Sequence, residues 1–448
     1  MTNPAPSASG STFAPEVTPV PRQAKVLVVS RGVSTLGSTL TSFGLDVWVY
    51  RETGSYHVFA TLVLLTALPS LLFAPFAGYL SDRLNKRKML LACDAISMLT
   101  VCIALVAYLS GHLTVPVVAC VVFILAMSTE MRWSALGPLV TMVVAREHLG
   151  RMNGLQQSFR GVTVMLGPVL GAVGLDLIGL PLLLALDMLS YAVGIAGLLS
   201  VVVPPTVKSE ASYVFRSFWD ELTYGFRWVF ERPPLRTLLL FFMSVNIGVS
   251  IFTASFTPYL LSRGSSSALG IALGLLGAGM FFTGMLLVRH RRRGGVGNHE
   301  RRVIVGSLAY GMCMIAWGLC RSPIALCILA PALGASTSVI MASSQTIWQT
   351  HVPVQIQGKV FAVRTVLSFS LVPLSILLSL PLASLVFEPL LTGSAVVTAV
   401  WGADKASALG LMISSLGAGV ACCAVGLLLR GGLRLDPAPP AAAPHVAA

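Results

Sequence analysis

Apolar runs follow one another along almost the whole chain, each cut off by a short cluster of glycine, proline or charge. A helix rising 1.5 Å per residue needs about 20 apolar residues to cross the hydrocarbon core of a bilayer, and the elements of water-soluble domains rarely run so long without a polar position. The pattern predicts twelve membrane-spanning helices, at roughly 25–49, 57–80, 89–110, 114–144, 153–178, 180–203, 236–262, 267–288, 303–321, 324–350, 360–387 and 406–430. The fourth, tenth and eleventh are long enough to tilt, bend or project from the bilayer. A polar stretch separates six spans from six. The chain is therefore read as an arm at 1–22, a first bundle at 23–203, a linker at 204–235, a second bundle at 236–430 and a tail at 431–448. The arm and tail are rich in proline and alanine, a composition that disfavours a packed core. The arm also lacks the basic start and apolar core of a cleavable signal. In the linker, Phe215, Phe218, Trp219, Tyr224, Phe226 and Trp228 alternate with charges, as in an amphipathic helix lying on a membrane surface. The expected fold class is an all-α polytopic membrane protein of two six-helix bundles.

Composition supports this picture. Hydrophobic residues make up 55% of the chain and charged residues 10%, with mean hydropathy +0.83, against about a quarter charged in soluble domains. The net charge of +13 is explained by topology rather than by nucleic acid, because the chain has no basic helix, zinc pattern or RNA-binding aromatic motif. With both termini placed in the cytoplasm, 22 of the 30 Lys and Arg fall on that side, four outside (Arg51, Arg263, Arg321, Lys405) and four within spans (Arg31, Arg132, Arg160, Arg364). A multi-pass protein of the cytoplasmic membrane, acting as a monomer, is expected. The eight cysteines are scattered through apolar runs without a C-x-x-C pair, and the seven histidines sit in loops, helix ends or tails. They suggest neither a metal site nor a catalytic constellation, and no cofactor is expected. No G-x4-G-K-[ST] loop is present to drive an ATP pump.

The loop between the second and third predicted spans carries Gly78, Leu80, Asp82, Arg83, Lys86 and Arg87 at the spacing G-x-L-x-D-R-x-x-K-R. This resembles the signature of the major facilitator superfamily, whose members are secondary transporters. The resemblance implies that Gly78, Asp82, Arg83 and Arg87 belong to a cytoplasmic gate, with Arg364 a partner for Asp82 by depth. A fainter copy, Gly284-x-Leu286-x-Val288-Arg289, follows about 206 residues later without the acid. Parallel repeats of this kind build two-halved facilitators. In the fifth span, Gly167-Pro168-x-x-Gly171-Ala172 is similar to the antiporter motif of exporters, with Thr163 and Ala172 at two of its glycine positions. The alternative is a kinked helix with a tight packing face. Segments at 43–55, 147–154 and 352–361, with Val386 to Leu390, resemble macrolide efflux proteins, siderophore exporters and carriers associated with nonribosomal peptide synthesis.

Ionisable residues inside spans are costly, about 2.5–3.5 kcal/mol each at mid-helix, and so mark function. In the first span Arg31, Thr35, Ser38, Ser42 and Asp46 fall within about 80° of arc, a polar stripe that must face protein or a water-filled cavity. The resemblance implies that spans 1, 4, 7 and 10 line the substrate path. Asn246 and Ser250, continued by Thr253 and Thr257, and Ser343, Ser344, Gln345, Trp348 and Gln349 are then further lining candidates. In the fourth span Glu130 and Arg132, two residues apart, point about 160° apart, so only one can face the cavity. Glu130 is the first candidate to carry a proton, the alternative being a carboxylate paired with Arg31 or Arg160. Asp46 is a second titrating group or a contact for a substrate cation. Asp94 and Asp187 are expected to pack or cap. The expected partners are a small-molecule substrate, protons and lipid. The activity expected from the resemblance is export of an amphipathic drug, siderophore or peptide or polyketide metabolite by proton antiport with alternating access. An uptake symporter is the alternative, and a non-transporting sensor a weaker one, since the termini are short for a signalling domain.

Overall fold

The structure, a computed structural model, describes residues 22–55, 72–202, 218–264, 266–289, 296–369 and 371–432, with scattered positions between 56 and 71. Arm residues 1–21, the tail beyond 432, residues 203–217 and Arg291, Arg292 and Arg293 lie outside the described residues.

The first half contains α1 (Arg22–Thr53), α2 (Ala74–Arg83), α3 (Lys86–Leu109), α4 (Val115–Val143), α5 (Arg146–Leu177) and α6 (Gly179–Leu199). After the linker helix α7 (Phe218–Phe230) come α8 (Pro233–Arg263), α9 (Ser266–Arg289), α10 (Val296–Leu319) and α11 (Pro323–His351). The eleventh predicted span is broken into α12 (Gln357–Phe369) and α13 (Val372–Leu382), with a π-turn at Ala383–Phe387 and short helices α14 (Glu388–Thr392) and α15 (Ala395–Trp401) before α16 (Lys405–Leu429).

Local chemistry sets the boundaries. Asn85 ends the loop after α2 by accepting the N–H of Arg87 at 3.0 Å and Lys88 at 3.2 Å, which caps α3. Asp404 caps α16 through the Ser407 N–H at 2.7 Å. Proline stands in the first turn of α2, α4, α8, α11 and α13, where its missing donor costs nothing. Gly111, Gly179 and Gly402 turn the chain with φ of 72°, 75° and 97°.

Among the described residues nine helices are long and apolar enough to cross a membrane, and a pair within α5, bent by 44° between Gly167 and Val169, makes up to ten. The difference from twelve has two physical sources. The polar stripe makes α1 less apolar than the other spans despite its 32 residues, and much of the second predicted span lies outside the described residues.

Within the halves, α1 packs on α5 and α6, α3 on α4 and α6, α9 on α11, and α10 on α11 and α16. The halves meet along two helix pairs, α2 with α12 and α5 with α9, joined by α5 with α11. Both pairs rely on small residues. A Cβ on Gly78 would collide with Ala362, and one on Gly161 with the backbone of Phe281 and Gly277. Where lipid replaces water around the helices, such close backbone approach supplies the packing energy.

Candidate functional site

The end of the bundle that carries Arg83, Arg87, Arg151 and Lys359 is called the basic end here. At this end Asp82, the last acidic residue of α2, meets the first turn of α12. Its Oδ1 accepts the Gly358 N–H at 2.7 Å and its Oδ2 the Lys359 N–H at 2.8 Å. Those donors are free because a helix leaves its first four N–H groups without internal partners, and the dipole there favours an anion. The approach requires glycine, since a Cβ on Gly358 would collide with Asp82 Oδ1 and would stand 2.6 Å from the Gly78 carbonyl oxygen. Burial pushes the Asp82 carboxyl up to about 6, against the lowering pull of the Lys359 N–H and charge, Lys86 and the Gly358 N–H. Arg87 donates to the Leu199 carbonyl at 2.7 Å, and the Arg83 guanidinium lies 4.5 Å from the Tyr79 ring centroid. Arg364 is not the partner of Asp82. It reaches Gln345 Oε1 at 2.7 Å and Ser344 Oγ at 3.4 Å and lies 5.5 Å from the Trp348 ring centroid. The helix terminus fills the place that charge matching would give to Arg364.

The second copy of the motif occupies the equivalent seam. Gly284 of α9 packs against Gly154 and Ser158 of α5, and the Val288 carbonyl accepts Arg151 Nε at 3.0 Å. Between the two seams lies a polar seal. Asn153 Nδ2 donates to Thr346 Oγ1 at 2.9 Å and Gln349 Oε1 at 2.8 Å, and Gln349 Nε2 donates to the Gly137 carbonyl at 3.2 Å. Trp348 and Gln349 are thus buried in the seal and do not line an opening, whereas Gln345 is half-buried one turn further in. The same helix faces become exposed with distance from the basic end. On α5, buried Asn153 gives way to half-buried Gln157 and exposed Arg160, and on α8, buried Asn246 and Ser250 give way to exposed Thr253 and Thr257. Asn246 donates to the Ser368 carbonyl at 3.0 Å. The molecule is closed at its basic end and opens beyond the seal.

The polar stripe of α1 divides. Arg31 turns into the first half and forms a bidentate ion pair with Asp94, which is fully buried on α3. Arg132 shares the same carboxylate at 3.4 Å, and its guanidinium lies 5.4 Å from the Tyr191 ring centroid. Tyr191 accepts the Ser38 hydroxyl at 2.8 Å, and Asp187 accepts Ser190 Oγ at 3.0 Å. Arg31 and Arg132 are therefore structural cations rather than exposed lining, and Asp94 does more than pack. Two long cations can leave the bundle axis only where a carboxylate on α3 meets them. Thr35 is exposed, and Ser42 and Asp46 are half-buried, with Asp46 Oδ1 buried and unpartnered among the described residues.

With Arg132 committed to α3, Glu130 takes the other direction. It stands seven residues before Gly137, about 20° around the helix, and Gly137 faces Phe361 and Gln345 across the seam. Glu130 is half-buried and makes no ion pair or hydrogen bond among the described residues. It is paired with neither Arg31 nor Arg160. Arg160 stands seven residues beyond Asn153, on the same face of α5, exposed and without an acidic partner among the described residues. No polar stripe marks Arg160, but a repeat does. An arginine follows six residues after the seam glycine in both halves, Gly154 to Arg160 and Gly358 to Arg364. Gly167 and Gly171 lie where α5 packs on α1, against Thr39 and Phe43. The side chain of Pro168 lies outside the described residues.

Similarity to known proteins agrees with this geometry. The chain is 23% identical over 279 residues to macrolide efflux protein A of Streptococcus pyogenes, covering 61% of this chain and 67% of that protein. It is 24% identical over 249 residues to macrolide efflux protein A of Enterococcus faecalis, covering 55% and 74%. Its fold matches the crystal structure of a bacterial homologue of the iron transporter ferroportin in an outward-facing state, with TM-score 0.65 at 14% identity over 90% of this chain and 98% of that one. Residues 27–376 match the Major Facilitator Superfamily, and with the paired seams above they identify the chain as a multi-pass membrane transporter of that superfamily and not an enzyme.

Proposed function

We propose that the protein exports an amphipathic small molecule from the cell by proton antiport, alternating between the closed-basic-end state described above and its opposite. The observation that carries this reading is Glu130, an intramembrane carboxylate without a charge partner among the described residues, on the open side of the seal. An isolated carboxylate in a low-dielectric site gains much from either a proton or a substrate cation. Occupation by one excludes the other, and such mutual exclusion is what couples opposite movements. Asp46, towards the far end of α1, is the second candidate. The basic end is assigned to the cytoplasm, the side on which the twelve-span reading of the sequence puts 22 of the 30 Lys and Arg together with both termini. The driving force is adequate, since one charge crossing 100 mV supplies about 2.3 kcal/mol. Export rather than uptake is supported by the macrolide efflux relatives.

The test uses labelled erythromycin with energised inside-out and right-side-out vesicles. Accumulation in inside-out vesicles alone, abolished by a protonophore, is the expected result. Accumulation in right-side-out vesicles would make the protein an uptake symporter.

A further inference from the structure

The charge inventory of the interior is unequal. Of the four arginines within the predicted spans, Arg31 and Arg132 share Asp94. Arg160 and Arg364 have no acidic partner among the described residues. These two occupy matching positions in the repeat, six residues beyond glycines that both sit in interhalf seams. Their depths follow from the helices. Arg160 is seven residues past the seal residue Asn153, about 10 Å along α5. Arg364 is held by Gln345, one turn past the seal residue Gln349, about 6 Å along α11. Glu130, seven residues past Gly137 on α4, lies at about the depth of Arg160. Two guanidiniums from the repeat and one carboxylate outside it thus lie at comparable depths beyond the seal, with no ion pair between them among the described residues.

We propose that this triad is the substrate-recognition site, and that its ligand is amphoteric, with an acidic group bound by Arg160 and Arg364 and a basic group bound by Glu130. The proposal rests on the reading of Glu130 as the proton carrier and adds the chemical class of the cargo. Arginine suits the acid, because its planar fork holds a carboxylate with two parallel hydrogen bonds. The substrate's cation replaces the proton at Glu130, so the anionic subsite adds affinity without altering the exchange. Gln345, holding Arg364 by a neutral hydrogen bond, orients the fork without quenching its charge.

Three fluorescent probes that share one ring system test the assignment by binding to purified protein. Nα-dansyl-lysine carries both charges, dansylcadaverine only the ammonium and Nα-dansyl-norleucine only the carboxylate. Dansyl-lysine should bind at least about tenfold more tightly than either single-charge probe. R160Q and R364Q should each lower its affinity towards that of dansylcadaverine, leaving dansylcadaverine unchanged, while E130Q should lower it towards that of dansyl-norleucine. R160K and R364K, which keep the charge but lose the fork, should be intermediate, and they serve if a glutamine variant fails to fold. Equal affinity for dansyl-lysine and dansylcadaverine, arginine variants that weaken all three probes alike, or no saturable binding of dansyl-lysine overturns the proposal. Binding is read without a gradient, so failure of antiport leaves this result standing, and failure of the triad leaves antiport standing.

Discussion

At the level of single residues, the seam explains why the loop motif needs both its acid and its glycine. Asp82 can reach two backbone donors of α12 only because Gly78 and Gly358 let the helices touch. Asp82→Asn turns an amide NH2 towards one of the two backbone donors and leaves that donor unpaired, which should weaken the closed state by about 1–3 kcal/mol. Gly358→Ala should open the basic end more fully, because its Cβ has nowhere to go. Both can be followed by the distance between spin labels at Leu84 and Arg301 in a background without the eight native cysteines. Asp82 also predicts a pH response. In the closed state its carboxyl titrates near about 6, against 3.8 for an ordinary aspartate, so the closed state binds the proton more tightly. Closing is therefore favoured by acid below about 4, and the advantage is lost as pH rises through about 6. The spin-label distance should lengthen over that window in the wild type and stay flat in Asp82→Asn.

On the scale of elements, the reading of polar stripes succeeds where one helix is considered alone and fails where partners come from elsewhere. The opposed directions of Glu130 and Arg132 follow from helix geometry, and the structure keeps them apart as expected. The pairing of Arg31 with Asp94 does not follow, because it depends on how α1 and α3 are juxtaposed 63 residues apart. Arg364 was misplaced for a similar reason, since a helix terminus can satisfy a carboxylate without any cation. The buried group makes a further prediction. Asp94→Asn leaves two buried guanidiniums without their carboxylate and should cost about 3–5 kcal/mol of stability. Arg31→Gln in the same protein should recover part of that loss, as a thermal-shift double-mutant cycle would reveal. If Arg31 instead faced the cavity, the two losses would add. The linker helix α7, expected on the membrane surface, also packs on α12, where Gly225 approaches Val363 and Lys359. Gly225→Leu should therefore disturb the basic end, with the Leu84 to Arg301 distance as the readout.

For the whole molecule, two seams related by the internal repeat close one end, and the charges without an ion pair among the described residues lie beyond them. The fold class was legible in hydropathy and the first seam in a motif. The second seam was foreshadowed by the fainter copy at Gly284, and the matched arginines were legible only once Gly154 and Gly358 were seen in contact with their partners. The asymmetry matters for mechanism. Asp82 joins one seam through its side-chain carboxyl and the Val288 carbonyl joins the other through the backbone, so substitutions at Val288 should affect cycling less than Asp82→Asn. The central claim is that Glu130 exchanges a proton for substrate, and a direct measurement is proton release from energised inside-out vesicles on addition of dansylcadaverine, followed with an acridine dye. The wild type should release protons with dose-dependent saturation, and Glu130→Gln should release none at any concentration of the compound. Proton release by Glu130→Gln equal to that of the wild type would contradict the account.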